Sequence, residues 1–166
     1  MPGVFLGPAM FVGANSQFPD SQILAFAQSQ LGTTLSNIAG FSWSLAANTM
    51  YGIQGFIDTT KATLTGGSQM SLNYSAGLTS LSQGLVASPT GSQNYRANNS
   101  NNTALAIGGT SVIVGAHASA IFSAFIIPSA AGTLRIAASA TLAGDILVNP
   151  GTWFTVFLPT PVGSPA

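Results

Sequence analysis

The sequence predicts a mainly β protein, with a sandwich or jelly-roll-like sheet in the C-terminal half and a mixed, partly helical N-terminal region. Between residues 103 and 159, apolar side chains recur at every second position, which is the period of a strand with one buried face. Glycine and proline clusters separate these apolar runs, as turns between strands require. The clearest run is 133–142, where one face of the strand would carry Leu134, Ile136, Ala138, Ala140 and Leu142.

The charge content is far below that of an ordinary domain. Only 4% of the 166 residues are charged and the net charge is zero, whereas ordinary domains carry about 25% charged residues. Neutral, apolar-rich surfaces tend to associate, so we expect other subunits to cover much of this surface. The alternative is a polar, uncharged surface suited to an acidic, salty or extracellular setting. Nucleic-acid binding is set aside, because phosphate contacts need clustered Lys or Arg.

Residues 1–17 are predicted to form an apolar N-terminal arm. Proline and glycine alternate here with apolar side chains, so the segment is too interrupted for a helix and too apolar to be left in water. We expect the arm to bury against another chain. Its candidate interface residues are Val4, Phe5, Leu6, Met10 and Phe11.

Residues 18–87 are predicted to be a mixed region of helix and hairpin. A capping signal at Pro19 and Asp20, an apolar stripe and a terminal glycine predict a helix over 18–32. Residues 33–57 fit either a second helix, which the pattern slightly favours, or a strand in which Phe41, Trp43 and Leu45 alternate with serines. Two alternating runs around Gly66-Gly67 predict a hairpin over 59–75.

Residues 88–103 are predicted to be a polar loop that joins this region to an antiparallel sheet over 104–166, which ends in an ordered, proline-rich tail. A second hairpin turn is expected at Gly108-Gly109. Asn73, Asn98 and Asn101 each begin an Asn-x-Ser/Thr triplet, which matters only if the chain passes through a glycosylating pathway.

The last strand, over 152–158, is apolar on both faces and therefore lies either in the centre of the sheet or at a subunit contact. Trp153 and Phe157, which share one of these faces, complete the set of candidate interface residues. Arg135 and Asp145 fall on adjacent predicted strands, so they form either a cross-strand ion pair or two unrelated exposed charges.

Residues 112–131 are apolar enough, and long enough, to raise the alternative of a membrane-spanning helix. Pro128 and the alternation of Ala120, Phe122, Ala124 and Ile126 favour a buried strand instead. A membrane partner is therefore not expected.

Catalytic and metal-binding functions are not expected from this sequence. A triad of His117, Asp145 and a serine can be written down, but no serine lies in a nucleophile-elbow motif. The three aspartates are isolated in sequence, no second histidine exists and cysteine is absent. We therefore assign no catalytic residue, no metal ligand, no cofactor and no small-molecule substrate.

These features together predict a structural, self-assembling subunit rather than an enzyme. The preferred setting is a virion, where the chain would be a capsid decoration or cement protein that contacts copies of itself, as a trimer or larger array, and another shell protein. The start of the chain lacks the positively charged region of a secretory signal, which favours that setting. One alternative is an extracellular filament, pilus or surface-layer subunit assembled by strand addition. Another is a small β-type ligand- or glycan-binding module.

Overall fold

Alternation of buried and exposed side chains organises the described part of the chain into β-strands. The computed structural model describes residues 20–61, 67–87, 94–98, 100–107, 115, 117–141 and 145–159, and these residues contain no helix. The strands are β1 (Asp20–Ile23), β2 (Gln28–Leu31), β3 (Ser36–Leu45), β4 (Tyr51–Lys61), β5 (Ser68–Tyr74), β6 (Leu78–Ala87), β7 (Asn94–Asn98), β8 (Leu105–Ala106), β9 (His117–Pro128), β10 (Gly132–Ala140), β11 (Asp145–Val148) and β12 (Trp153–Phe157).

The strands form two antiparallel sheets. The eight-stranded sheet has the order β1-β12-β4-β9-β6-β7, and the four-stranded sheet has the order β3-β10-β5-β8. In the larger sheet, β11 and β12 lie end to end along the same side of β4. On their other side, β2 pairs with β11 and β1 pairs with β12. The chain changes sheets between most successive strands, so each sheet is built from strands that are distant in sequence.

The hydrophobic core lies between the two sheets. Phe41 from the four-stranded sheet meets the ring of Phe154 edge to face, with 5.2 Å between ring centroids, and Phe154 meets Phe122 in the same way at 6.0 Å. All three rings are almost completely buried. Offset and edge-to-face aromatic pairs contribute about 0.5–1.5 kcal/mol beyond the area they bury, so this cluster is a principal tie between the sheets.

The mainly β fold is confirmed, and so is the strand predicted over 133–142. In β10, Leu134, Ile136, Ala138 and Ala140 are fully buried, while Arg135 is exposed. The second face is buried further along the strand, because Ala137 and Ser139 are also fully buried. The helical part of the N-terminal prediction is not supported.

Strands β1 and β2 occupy the segment predicted as a helix over 18–32. The residues of the predicted apolar stripe do not share a face, since Leu24 is buried whereas Ile23 is 60% exposed. The main chain of Leu24 exchanges hydrogen bonds with Thr152 and Gly151, and β1 and β2 pair with β12 and β11. Pairing with distant strands has overridden a local helical pattern here.

Residues 33–57 contain β3 and the first part of β4, so the strand alternative is correct and the favoured helix is wrong. Phe41, Trp43 and Leu45 are buried in alternation with exposed serines. Gly40 has a φ angle of 95° and interrupts β3 with a bulge, which accounts for the mixed periodicity.

The predicted hairpin over 59–75 is also wrong, because its two arms belong to different sheets. β4 pairs with β9, β11 and β12, and β5 pairs with β8 and β10. The two strands meet across the core instead, where the hydroxyl of Thr59 donates to that of Ser68 at 2.8 Å. Gly67 thus lies in a connection between sheets, whereas Gly66, Gly108 and Gly109 lie outside the described residues.

The segment 88–103, predicted as a loop, contains β7, which pairs with the end of β6. Strands from the 18–87 region alternate with strands from the 104–166 region in both sheets. The arm, residues 1–17, and the last residues of the tail, 160–166, lie outside the described residues.

The segment considered as a membrane-spanning helix contains β9, whose inward side chains include Phe122 and Ile126. Among the described residues, no helix is long and apolar enough to cross a membrane.

Candidate interaction surface

The outer face of the eight-stranded sheet carries an unbroken row of apolar side chains. Cross-strand pairing places Ile23 beside Trp153, Trp153 beside Phe56, Phe56 beside Ile121 and Ile121 beside Val86. Residues directly opposite each other in a sheet point to the same face. We call these five residues the long apolar row. Ile121 is 66% exposed and Ile23 60% exposed, although side chains of this kind normally lie inside.

A short apolar row runs parallel to the long one on the same face. It consists of Phe157 and Phe125, which flank Gly52 on the neighbouring strands. The ring of Phe157 lies over Gly52, so close that a β-carbon at this position would be 2.3 Å from it. Glycine is therefore required for the ring to lie flat against the sheet. The two rows are four residues apart along each strand, or about 13 Å.

A polar row separates the two apolar rows, and it consists of Ser21, Thr155, Gln54, Ser123 and Gly84. The hydroxyls of Ser21 and Thr155 are 2.7 Å apart. A shallow groove of about 230 Å³ opens above Gly84 and Ser123, with Ile121 and Val86 on one side and Phe125 on the other. The face therefore carries two apolar rows with a polar groove between them.

Ionisable side chains are confined to the margins of this face, as far as its side chains are described. Asp58 and His117 lie beyond the long apolar row, Lys61 points inward and is buried, and Arg135 is on the other sheet. Burial raises the pKa of Asp20 on the edge strand β1, which disfavours its charged form. A partner that binds the rows therefore needs no compensating charge.

Two of the seven sequence-predicted interface residues lie on this face. Trp153 is 38% exposed in the long apolar row, and Phe157 is half-buried in the short one. Ile23, Phe56, Ile121, Val86 and Phe125 were missed as interface residues. The signal for Ile121 and Phe125 was available, because residues 120–127 are apolar at both alternating sets of positions apart from Ser123, as is typical of a strand that is covered on both faces.

A polar cluster next to the long apolar row joins His117 to Asp58. The Nδ1 atom of His117 is 3.1 Å from Oδ2 of Asp58, and its Nε2 atom is 3.4 Å from the hydroxyl of Thr60. Asn149 donates to the same Asp58 oxygen at 2.8 Å and to the Thr60 hydroxyl at 2.7 Å. Sequence reasoning missed this arrangement because its members are distant in the chain.

Hydroxyl, imidazole and carboxylate follow one another here in the order of a nucleophilic relay. Such a relay also needs N–H donors aimed at a developing oxyanion, and the main chain of β4 and β9 at the cluster lies in their continuous pairing register. The cluster also has a structural task. The main-chain N–H of Asn149 donates to the carbonyl of Asp58 at 2.9 Å, which holds the turn between β11 and β12 against β4.

His117 is therefore expected to be dispensable. Its side chain is 67% exposed, so His117→Gln should change the free energy of unfolding by less than about 0.5 kcal/mol and leave self-association unchanged. Asn149→Ala is the matched comparison and should cost about 1–2 kcal/mol, because it removes two side-chain hydrogen bonds of the cluster. Denaturant unfolding measures both. Loss of function in a normally folded His117→Gln variant would contradict this assignment.

Arg135 and Asp145 do not lie on adjacent strands of one sheet, as the predicted cross-strand pair requires. Arg135 lies on β10 in the four-stranded sheet, opposite Ser42 and Asn73, whereas Asp145 lies on β11 in the other sheet. No group of three or more metal-binding side chains occurs among the residues that the structure describes.

Side-chain amides occupy the edges of the four-stranded sheet. Gln28 both donates to the carbonyl of Ala39 and accepts from its N–H, each at 2.8 Å, and Gln22 does the same at Ser42, at 3.0 and 2.9 Å. Asn101 makes the equivalent pair of bonds to Tyr74 at the far edge of β5. These amides stand where a neighbouring strand would pair, so they block those edges to strand addition.

Two of the three asparagines in Asn-x-Ser/Thr triplets have their amides engaged in hydrogen bonds. Asn101 holds the main chain of Tyr74, and Asn73 donates to the side-chain oxygen of Asn37 at 2.9 Å. A glycan replaces one of the two N–H hydrogens of an amide, so it would compete with these bonds for space and for a donor. The side chain of Asn98 is outside the described set.

No protein-family model matches the chain, and no curated protein is similar to it in sequence. Among solved structures, the chain is similar to Eiger TNF from S. frugiperda, with 11% identity and a TM-score of 0.39 over 90% of this chain and 98% of that one. It is also similar to the carbohydrate-binding module TmCBM61 in complex with β-1,4-galactotriose, with 9% identity and a TM-score of 0.35 over 86% and 91%. A third likeness is to the VP2 subviral particle of infectious bursal disease virus, with 18% identity and a TM-score of 0.21 over 94% and 44%. TM-scores this low assign the chain to no family and to no function.

Proposed function

We propose that the protein is a structural subunit that associates with further copies of itself through the outer face of the eight-stranded sheet. The observation that carries the proposal is the long apolar row, which crosses five neighbouring strands with Ile121 at its most exposed point. Five strands at the usual spacing give a row about 19 Å long. That length suits the central part of an interface of ordinary size, which buries about 800 Å² on each partner.

The occupant that fits this face best is a second copy of the same face. A two-fold axis that lies in the plane of the interface and runs across the rows would place the long apolar row of one copy on the long apolar row of the other. The same axis would place the polar row on the polar row. The chain has no net charge, so two copies meet without electrostatic repulsion.

Face-to-face association also agrees better with the edges of the fold than strand addition does. Gln22 and Gln28 occupy the main-chain groups of edge strand β3, and Asn101 occupies those of β5. The filament alternative, in which an arm completes a neighbour's sheet, would have to use the edges of β1, β2, β7 or β8 among the described strands.

A virus particle is the setting we propose for this assembly, with the chain as a capsid-associated decoration or cement protein that also contacts another shell protein. The very low charge and the apolar arm, residues 1–17, support that setting. Electron microscopy of the purified assembly separates the candidates. A closed oligomer or shell supports the particle subunit, a helical head-to-tail array supports the filament, and an isolated monomer supports the ligand-binding module.

The association itself is tested by placing a charge in the centre of the long apolar row. Sedimentation velocity should show reversible association of the unaltered chain, and Ile121→Asp should weaken it at least about 100-fold, because a carboxylate buried without a partner costs several kcal/mol. Ser44→Asp adds the same charge on the exposed face of the other sheet and should leave association unchanged. A monomeric unaltered chain at high concentration, or an Ile121→Asp variant that associates normally, would refute the proposal.

A further inference from the structure

A second apolar groove lies at the edge of the sandwich, where the long apolar row ends at Ile23. Residues 23–26, which connect β1 to β2, form one wall, and residues 39–41 of β3 form the other, with a volume of about 240 Å³. Phe26 stands in the first wall and is 80% exposed. Cofactor and drug-sized ligand sites start at about 300 Å³ and carry convergent polar groups, so this groove suits one or two apolar side chains.

Two glutamines that bind the main chain of edge strand β3, Gln22 of β1 and Gln28 of β2, bracket this groove. Gln28 binds the main chain of Ala39 on one side and Gln22 binds that of Ser42 on the other, so Gly40 and Phe41 lie between them. Gly40 has a φ angle of 95°, and a β-carbon there would meet no atom within 4 Å. The bulge of β3 therefore leaves an open recess between two fixed side-chain amides.

We propose that this groove receives apolar side chains from the N-terminal arm of a second copy, drawn from residues 4–11. The inference rests on the proposed function, because it supplies a second contact between copies that associate. Residues 1–19 contain no charged side chain, and their apolar residues are separated by glycine and proline. Such a segment docks as an extended chain with isolated apolar anchors, which is what a small recess between two fixed amides accepts.

The direction of β1 favours docking on another copy over docking on the same one. The groove begins at Ile23, at the end of β1, whereas the arm joins β1 at its start, Asp20. An arm that fills its own groove must double back along the length of β1, whereas an arm that docks on a neighbour need not reverse. Nineteen extended residues reach roughly 60 Å, which is ample for a neighbouring subunit of a domain with a radius of gyration of about 15 Å.

The absence of cysteine from the chain allows a direct test by disulfide trapping with the full chain. One preparation carries a single thiol in the arm, as Val4→Cys, Leu6→Cys or Met10→Cys. The other carries Ala39→Cys in the groove and a different affinity tag. After mixing and oxidation, a disulfide between the two tagged copies forms only where the β-carbons approach to about 4 Å, and mass spectrometry identifies the linked residues.

We expect at least one arm position to link to Ala39→Cys several-fold more than to the control Leu158→Cys, which is also exposed but lies outside the groove. Phe26→Ser in the groove copy should reduce that product several-fold, because it removes an apolar wall. Equal linking to the control, no linking at all, or a disulfide within one chain when Leu6→Cys and Ala39→Cys are combined would overturn the inference.

The same preparations separate this inference from the proposed function. If Ile121→Asp abolishes association, and copies with an unaltered sheet face give no disulfide between arm and groove, the sheet-face contact is supported and the arm contact is refuted. If the product forms while Ile121→Asp associates normally, the arm contact stands and the sheet-face contact fails.

Discussion

Gly55→Ala is expected to destabilise the fold by about 3 kcal/mol, at the upper end of the usual cost of overpacking a core. A β-carbon at Gly55 would lie 2.2 Å from the ring of Phe154. That ring is fully buried and contacts Phe41 and Phe122 edge to face, so it has nowhere to move. For a chain of this length the melting temperature should fall by roughly 6–12 °C, which calorimetry or circular dichroism would measure.

Gly52→Ala is the matched control, three residues away on the same strand. The added methyl group meets the ring of Phe157 at 2.3 Å, but this ring lies on the open face and can move into solvent. We expect a cost below about 1 kcal/mol. Combining Gly55→Ala with Phe154→Leu should recover about 1–2 kcal/mol relative to the sum of the single changes. Equal costs at the two glycines, or no recovery, would mean that the aromatic cluster is not the tie between the sheets.

The strands that the sequence predicts correctly are those whose burial differs between two faces. In β10 the alternation is simple around Arg135, where one side faces the core and the other faces solvent, although the second face is buried further along at Ala137 and Ser139. The same reasoning identified the unusual character of β12, where Trp153 and Phe157 are apolar on the outer face. Local periodicity reports these features because the side chains that produce them are neighbours in sequence.

The errors occurred where the structure depends on contacts between distant residues. The predicted hairpin over 59–75 has acceptable turn chemistry, yet β4 and β5 belong to opposite sheets. The predicted helix over 18–32 has an acceptable apolar stripe, yet its glutamines bind the main chain of β3. Nothing in a local window distinguishes a glycine pair that closes a hairpin from one that carries the chain between sheets.

The candidate interface was likewise predicted only where its residues are neighbours in sequence. Trp153 and Phe157 were identified from their own strand, whereas the long apolar row exists only because four other strands align their apolar residues beside Trp153. The pairing of His117 with Asp58 spans 59 residues of sequence, and with three aspartates available the sequence offered no reason to choose this one.

Replacing both glutamines that bracket edge strand β3 is expected to lower stability and to change how the chain associates. Each amide exchanges two hydrogen bonds with one main-chain residue, Gln22 with Ser42 and Gln28 with Ala39. Because these groups are exposed and water can replace the amide, we expect Gln22→Leu with Gln28→Leu to cost about 2–4 kcal/mol in total, near 1–2 for each side chain. Denaturant unfolding would measure this cost, and Gln54→Leu, on an exposed glutamine of the polar row, should cost less than about 0.5 kcal/mol.

The association of the double variant should change because the two amides cover main-chain groups of β3. Without them, β3 presents unpaired N–H and carbonyl groups along the edge of a four-stranded sheet, and such edges template pairing with other chains. We expect the double variant to form aggregates with strand-like infrared absorption, in a process that persists when Ile121→Asp removes the sheet-face contact. Gln28→Glu gives an isosteric check, because a carboxylate still accepts from the N–H of Ala39 but cannot donate to its carbonyl. A double variant that stays as stable and as soluble as the unaltered chain would show that charge-free edges in this protein are protected by some other means.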